Sequence, residues 1–125
     1  MNESDIQTTN GYTIRHISEV SPVLCPCGWS QRIIPASENR GYSFHVTTIR
    51  NAKLHYHERT QEVYYILNGT GTIELNEAVF PVTPGMTITI EAGTRHRIQA
   101  DSEIQTIVLA IPGFDPSDEF LVPGD

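Results

Sequence analysis

The chain has 125 residues, with 8 Lys and Arg against 15 Asp and Glu, so its formal net charge is −7 at pH 7. This length predicts one domain with a single sizeable core, and the negative charge argues against a nucleic-acid or anionic-membrane surface, because both need a basic patch. No run of about 20 apolar residues is present to span a membrane. The first residues lack the basic start and apolar stretch of a signal peptide, so we expect a cytoplasmic protein.

Residues 1–42 are predicted to form an N-terminal arm with little regular structure. The first 20 residues are polar and favour a flexible start followed by a turn or short strand. Ser21–Arg32 contains two prolines and a glycine, which is typical of an ordered loop. Pro35–Gly41 is a second turn-rich link.

Cys25 and Cys27 are the only cysteines and are separated by a single proline. A bridge between them would close a very strained ring. The pair is open to three interpretations: a two-thiolate metal site, a redox pair, or two small apolar residues in a loop. We favour the last, because two ligands alone do not make a structural zinc site.

From residue 43 the chain becomes a series of short β-branched and aromatic runs separated by turn signals. The predicted strands are Ser43–Arg50, Leu54–His57, Glu62–Leu67, Thr70–Leu75, Val79–Val82, Met86–Glu91, Arg95–Ala100 and Ile104–Ile111. Eight short strands without a convincing helix predict an all-β sandwich or barrel of the double-sheet jelly-roll type over residues 43–111. Residues 112–125 are predicted to pack Phe114 and Phe120 over the barrel or against a second subunit.

Three histidines and one carboxylate are spaced as metal ligands. His55 and His57 project from the same face of a strand, roughly 6–7 Å apart at Cα. Glu62 opens the next strand and His96 begins a later one. If these strands lie side by side, the mixed nitrogen and oxygen set suits one divalent transition metal ion (Fe, Mn, Co, Ni, Cu or Zn) and suits Ca or Mg poorly.

Strand parity predicts what surrounds this site. Tyr64 shares the face of Glu62, and Ile98 shares that of His96, so the cavity has an apolar wall that favours a small, partly apolar organic ligand. Tyr64 either donates a hydrogen bond or a proton to that ligand or simply packs in the barrel. His45 either lines the cavity or caps the outside, and we expect a structural role for it.

The paired motifs resemble those of the cupin superfamily. In the first motif His55, His57, Glu62 and Gly69 match the family spacing, and in the second Gly85, Gly93 and His96 do. The departures lie at turn and strand-end positions, namely Ile49, Glu91 and Ala100. The resemblance covers roughly residues 43–111 and implies a double-stranded β-helix (jelly-roll) barrel, in which all four metal-holding positions carry ligand-type residues.

The site and the resemblance together imply metal-dependent chemistry on a small organic molecule inside the barrel, either oxygenase-type or Lewis-acid chemistry. Two alternatives remain: a non-catalytic module that binds or senses a small ligand, and a sugar-phosphate isomerase. The second follows from a likeness to small cupins compared with mannose-6-phosphate isomerases. It ranks lower because Arg95 and Arg97 are predicted to point outward. The resemblance also implies a homodimer, in which residues 10–35 are exchanged between subunits.

Overall fold

The structure, a computed structural model, describes residues 11–124. It has ten β-strands and, within this range, three single-turn 3₁₀ segments at Ile17–Glu19, Ala36–Glu38 and Pro116–Asp118. No helix in the described range is long and apolar enough to cross a membrane. The strands are β1 (Val23–Cys25), β2 (Gly28–Ile34), β3 (Ser43–Asn51), β4 (His55–Tyr56), β5 (Gln61–Asn68), β6 (Gly71–Leu75), β7 (Ala78–Val82), β8 (Thr87–Ile90), β9 (His96–Ile111) and β10 (Phe120–Leu121).

The 16-residue strand β9 joins the two halves of the barrel. Its first part, residues 96–100, pairs with β4 and β6, and its last part, residues 104–111, pairs with β3 and β5. One half therefore runs β7-β6-β9-β4-β10 and the other β1-β2-β3-β9-β5-β8. This curled arrangement confirms the predicted all-β jelly roll.

The prediction of two separate strands in place of β9 was wrong. The polar residues between them look like a turn in the sequence, but the chain stays extended and its backbone finds a partner. The N–H of Asp101 donates to the carbonyl oxygen of Thr70, and the Thr70 hydroxyl donates to the Asp101 carboxylate at 2.7 Å. An exposed polar segment can therefore continue a strand when a neighbouring strand end satisfies it.

The interior follows the predicted alternation of side chains. Glu62, Tyr64 and Ile66 are buried on one face of β5, and Ile88 and Ile90 are buried on β8. The apolar core consists of Ile49, Tyr64, Ile66, Ile73, Val82, Ile88, Ile90, Ile98 and Ile104. Period-two patterning thus places a continuous core between the two halves and orients Glu62 inward.

Two glycines are needed for the chain to turn as it does. Gly85 has φ +92° and lies in a turn closed by the Met86 N–H and the Thr83 carbonyl, as its place after a proline predicts. Gly69 has φ +90°, and a Cβ there would lie 2.0 Å from the carbonyl oxygen of Glu103. Any side chain at Gly69 would push β5 away from β9.

The interpretation of Ser21–Arg32 as a loop was also wrong, because this segment forms most of the β1–β2 hairpin. β2 pairs with β3 from Gly28 opposite Ile49 to Arg32 opposite His45. The prolines and glycine that suggest a loop lie before, in and directly after the turn. The strand is specified by pairing with β3 rather than by local propensity. The predicted flexible start at residues 1–10 lies outside the described residues.

The C-terminal tail packs against the barrel beside the cavity. Its strand β10 pairs with β4, so that Phe120 lies opposite Tyr56, and the two rings stack at 5.4 Å. Phe114 packs its ring edge against His45 at 6.0 Å. The tail therefore contacts the barrel through the two phenylalanines that the sequence indicates, and it also reaches the cavity.

Candidate metal centre

Three histidines meet where β4 lies beside the start of β9. His55 and His96 are cross-strand partners, and their ring centroids are 4.2 Å apart. His57 follows directly after β4 and is 3% exposed. One ring nitrogen from each histidine lies within 4.8 Å of the others, so the three can hold a metal ion together.

The three imidazole rings are oriented by backbone carbonyl groups. Each Nδ1 lies within hydrogen-bond distance of one carbonyl oxygen, 2.7 Å for His55 with Lys53, 2.9 Å for His57 with Asp118, and 2.8 Å for His96 with Thr94. Because a carbonyl oxygen only accepts, each Nδ1 must carry the proton and donate. In the neutral rings Nε2 then keeps its lone pair, which is the form that binds a metal.

The Glu62 carboxylate lies against two of these rings. Its Oε1 is 3.1 Å from Nε2 of His96 and 3.4 Å from Nε2 of His57. The buried Nε2 of His57 makes no hydrogen bond. A lone pair facing a carboxylate is repulsive unless a proton or a metal ion lies between them. The donor set therefore fits a metal ion.

The charge states of these groups follow from their contacts. Burial raises the pKa of Glu62, but the adjacent imidazoles of His57 and His96 outweigh this effect and leave the pKa well below its usual value. Burial lowers the pKa of His57, and the contact with Glu62 reverses this to a net increase. Burial and the neighbouring His96 lower the pKa of His55 to about 4. The ionised Glu62 and the neutral His55 are in the states that ligation requires, and a metal ion would displace the proton that Glu62 favours on His57.

Tyr64 lies beside this cluster on β5. Its hydroxyl is 3.5 Å from Oε1 of Glu62, and its ring meets that of His96 edge-on at 6.4 Å. Burial and then the Glu62 carboxylate raise the pKa of Tyr64 well above its usual value. The phenol therefore stays protonated and acts as a donor rather than a base.

Sequence reasoning missed Asp118, which supports the site from the tail. Its side chain is 3% exposed. The carboxylate accepts the backbone N–H groups of Glu58, Arg59 and Thr60 at 3.1, 3.1 and 3.2 Å, and the carbonyl oxygen of Asp118 is the partner of His57. Burial raises the pKa of Asp118, and these N–H donors bring it below its usual value. The sequence gives only an acidic cluster near the C-terminus, which does not indicate this role.

The cluster opens into a cavity of about 310 Å³. His55, His57 and Glu62 line it, and His96 contacts His55 and Glu62. We call these four residues the histidine wall, and Leu24, Cys25, Pro26 and Cys27 the hairpin wall. His45 also lines the cavity, beside Arg32 and Phe114, and not in the histidine cluster. Burial and the Arg32 charge lower the pKa of His45 to about 4. The sequence does not indicate that Arg32 lines the cavity, because a predicted loop assigns no direction to its side chain.

The two cysteines lie in the cavity lining with their Sγ atoms 2.9 Å apart, and both are free. They belong to no group of three ligand side chains among residues 11–124, where the histidines form the one such group. The arrangement therefore gives no support to a thiolate metal site of the structural type.

Comparisons with known proteins agree with this architecture. The model of the cupin domain family matches residues 44–112. The L-ectoine synthase of Mycobacteroides abscessus is 34% identical over 90 residues, which cover 68% of this chain and 69% of that protein. The L-ectoine synthase of Mycolicibacterium gilvum is 32% identical over 113 residues, which cover 86% of this chain and 82% of that protein.

A solved structure is also closely similar. The crystal structure of a protein from Planctomyces limnophilus superposes with a TM-score of 0.81 at 38% sequence identity. The match covers 88% of this chain and 96% of that one.

Proposed function

This chain belongs to the cupin domain family, and on that premise we propose that it is an enzyme that uses a divalent transition metal ion as a Lewis acid on a small organic molecule. The observation that carries the proposal is the shared orientation of the three imidazoles. Each Nδ1 is engaged by a backbone carbonyl, which leaves Nε2 for another partner. Such outer hydrogen bonds are typical of metal-ligating histidines.

We propose His55, His57, His96 and Glu62 as the ligands. Their nitrogen and oxygen donors suit Fe, Mn, Co, Ni, Cu or Zn, and availability decides among these metals. A bound ion would polarise a substrate oxygen or lower the pKa of a bound water. The ionised Glu62 would neutralise only part of the charge of a divalent ion, so the site would keep a net positive charge that favours a neutral or anionic ligand group.

We propose that three further cavity residues contact the substrate directly. Tyr64 is held protonated by burial beside Glu62, so its hydroxyl serves as a hydrogen-bond or proton donor to the bound molecule. Arg32 and His45 line the same cavity and are not among the proposed ligands. They are the groups that orient the part of the substrate away from the ligands.

The curated relatives favour Lewis-acid chemistry over oxygenase chemistry, because the proteins that match over two thirds of both chains are named synthases. L-ectoine is therefore the first compound to offer. An enzyme accelerates its reaction in both directions, so consumption of L-ectoine is a direct assay for a related activity.

The test uses untagged protein loaded separately with each metal and incubated with L-ectoine and a panel of small carboxylates and polyols. Product formation is followed by proton NMR. We expect metal-dependent conversion of at least one compound, and loss of conversion in Glu62→Gln, with Glu58→Gln as the exposed control. Conversion that persists in Glu62→Gln or without metal would contradict the proposal.

The other functions considered predict different outcomes. Oxygen uptake that accompanies conversion would indicate an oxygenase. Isomerisation of a sugar phosphate would indicate the isomerase alternative. Tight binding of a compound without conversion under any metal would indicate a binding or sensing module, and would overturn the enzymatic proposal while leaving the metal site intact.

The proposed assembly is a homodimer. Strand β1 lies at one end of its half of the barrel, with Val23 and Leu24 exposed, and an unpaired edge is a template for a second chain. Light scattering after size-exclusion chromatography should give twice the chain mass. A monomer at micromolar concentration would contradict this prediction. The cytoplasmic location stays a prediction of the sequence.

A further inference from the structure

Two thiols lie at the turn between β1 and β2, in the wall of the cavity. The Sγ atoms of Cys25 and Cys27 are 2.9 Å apart, close enough for one thiol to donate to the other. Both line the same cavity as His57 and Tyr64. Each is partly exposed. A small molecule that enters the cavity therefore meets a pair of sulfur atoms.

The hairpin backbone holds the two thiols together. Cys25 pairs with Gly28, so Cys27 lies in the two-residue turn between them. The carbonyl oxygen of Cys27 accepts the backbone N–H of Arg50 at 2.9 Å. A Cβ at Gly28 would lie 2.0 Å from the carbonyl oxygen of Thr48, so only glycine allows the hairpin to approach β3 this closely. The sheet thus holds the backbone of the turn in place, and the side-chain rotamers of the two cysteines set the distance between the sulfur atoms.

The two thiols are not equivalent. The hydrogen bond from Cys27 lowers the pKa of Cys25 to about 6. The same bond, and then burial, raise the pKa of Cys27. The carboxyl group of Glu119, on the tail, raises both values without removing the difference. At neutral pH Cys25 is the thiolate, which is the attacking form, and Cys27 is its hydrogen-bond donor.

We propose that Cys25 and Cys27 form a redox-active dithiol that reacts with small-molecule disulfides at the cavity, with Cys25 as the attacking sulfur and Cys27 as the resolving sulfur. The Cys25 thiolate attacks one sulfur of the disulfide, its S–S bond breaks, and one thiolate leaves. Cys27 then loses its proton to solvent and attacks Sγ of Cys25. The mixed disulfide breaks and releases the second thiolate. The two protein thiols are oxidised by two electrons, and the small disulfide is reduced to two thiols.

The bridged form is reversible for a geometric reason. Cysteines separated by one residue close a small ring that departs from the usual disulfide geometry. Strained disulfides are more oxidising and more easily reduced than structural ones. A small thiol therefore restores the dithiol. This chemistry needs no metal ion, so it is independent of the function proposed above.

Oxidised glutathione is the probe for the first experiment, with intact-mass spectrometry after an acid quench. With oxidised glutathione in large excess, which offsets the strain of the bridge, the parent protein is expected to lose two hydrogens and to show only a transient adduct. Cys27→Ala lacks the resolving thiol and is expected to retain one glutathione at Cys25. Cys25→Ala, the matched control, is expected to stay unmodified over the same period. Equal reaction of Cys25→Ala and the parent, or no adduct in Cys27→Ala, would overturn the proposal.

A second measurement separates the paired arrangement from two ordinary exposed thiols. Alkylation of Cys25 by iodoacetamide, located by peptide mapping, is expected to show a midpoint near pH 6 in the parent protein. In Cys27→Ala the midpoint is expected to rise toward about 8.5, the ordinary value for a cysteine. The same midpoint in both proteins would contradict the pairing, and circular dichroism checks that the variant is folded.

Discussion

The histidine wall and the hairpin wall face the same cavity but are held in different ways. In the histidine wall the side chain of Glu62 is 8% exposed and that of His96 1% exposed, and each imidazole Nδ1 has a fixed carbonyl partner. In the hairpin wall Leu24 is 88% exposed, and the thiols of Cys25 and Cys27 are both partly exposed. One wall is determined by the barrel, and the other projects from its edge strand.

Because of this difference, the histidine wall is suited to binding a metal ion and the hairpin wall to forming and breaking a bond between two sulfur atoms. Ligands that bind a metal ion must already be in position, because outer contacts fix the ring orientation and raise ligand basicity. Sulfur atoms that form and break a bond must move toward each other, which a hairpin at the sheet edge allows more readily than a buried strand. The cavity therefore combines one rigid reactive surface with one adaptable surface.

The largest expected effect is on the free energy of unfolding, which we compare for one aliphatic residue of the barrel core and one of the hairpin wall. Ile98 follows His96 on β9 and is 2% exposed, whereas Leu24 is exposed on the hairpin. Ile98→Ala is expected to lower the free energy of unfolding by about 2–5 kcal/mol, because it leaves a hole in the core. Leu24→Ala is expected to change it by no more than about 0.5 kcal/mol. Denaturant unfolding measures both, and similar losses would mean that the hairpin is as firmly packed as the barrel.

The next largest effect is on metal affinity, and it tests whether Asp118 in the tail holds the histidine wall in place. Asp118→Asn replaces one acceptor oxygen by an amide NH₂, which meets backbone N–H groups of residues 58–60 and loosens the segment after His57. Metal affinity is expected to fall about 10–100-fold, the usual result of losing an outer contact. Isothermal titration measures it, with Asp101→Asn, an exposed carboxylate outside the tail, as control. Unchanged metal affinity in Asp118→Asn would show that the contacts of Asp118 do not determine the position of His57.

The smallest expected effect tests the turn beside the histidine wall. Glu77 has φ +80°, a conformation that favours glycine, in the turn between β6 and β7. The neighbouring Asn76 exchanges hydrogen bonds with the backbone of Arg95, directly before His96. Glu77→Gly is expected to raise the free energy of unfolding by about 0.5–1 kcal/mol, because relief of strain exceeds the entropy cost of glycine. Thermal unfolding measures it. A loss of stability would mean that the Glu77 side chain contributes more than its backbone strain costs.

The sequence predicts the histidine wall better than its surroundings, and the reason is the range of the interactions. His55, His57 and Glu62 are local in the chain, and the period of a strand is enough to orient them. Asp118 contacts residues about 60 positions away, and no local pattern encodes such a contact. The hairpin was missed for the same reason, since β2 is a strand because β3 lies beside it.

Metal content, measured by inductively coupled plasma mass spectrometry, tests the central claim most directly. The samples are untagged parent protein, purified without added metal and again after reconstitution, beside His57→Ala and His96→Ala. The exposed His16→Ala is the matched control. We predict close to one transition metal ion per chain in the parent and the control, and almost none in the two site variants. A folded parent that holds no metal after reconstitution, or site variants that keep it, would contradict the account.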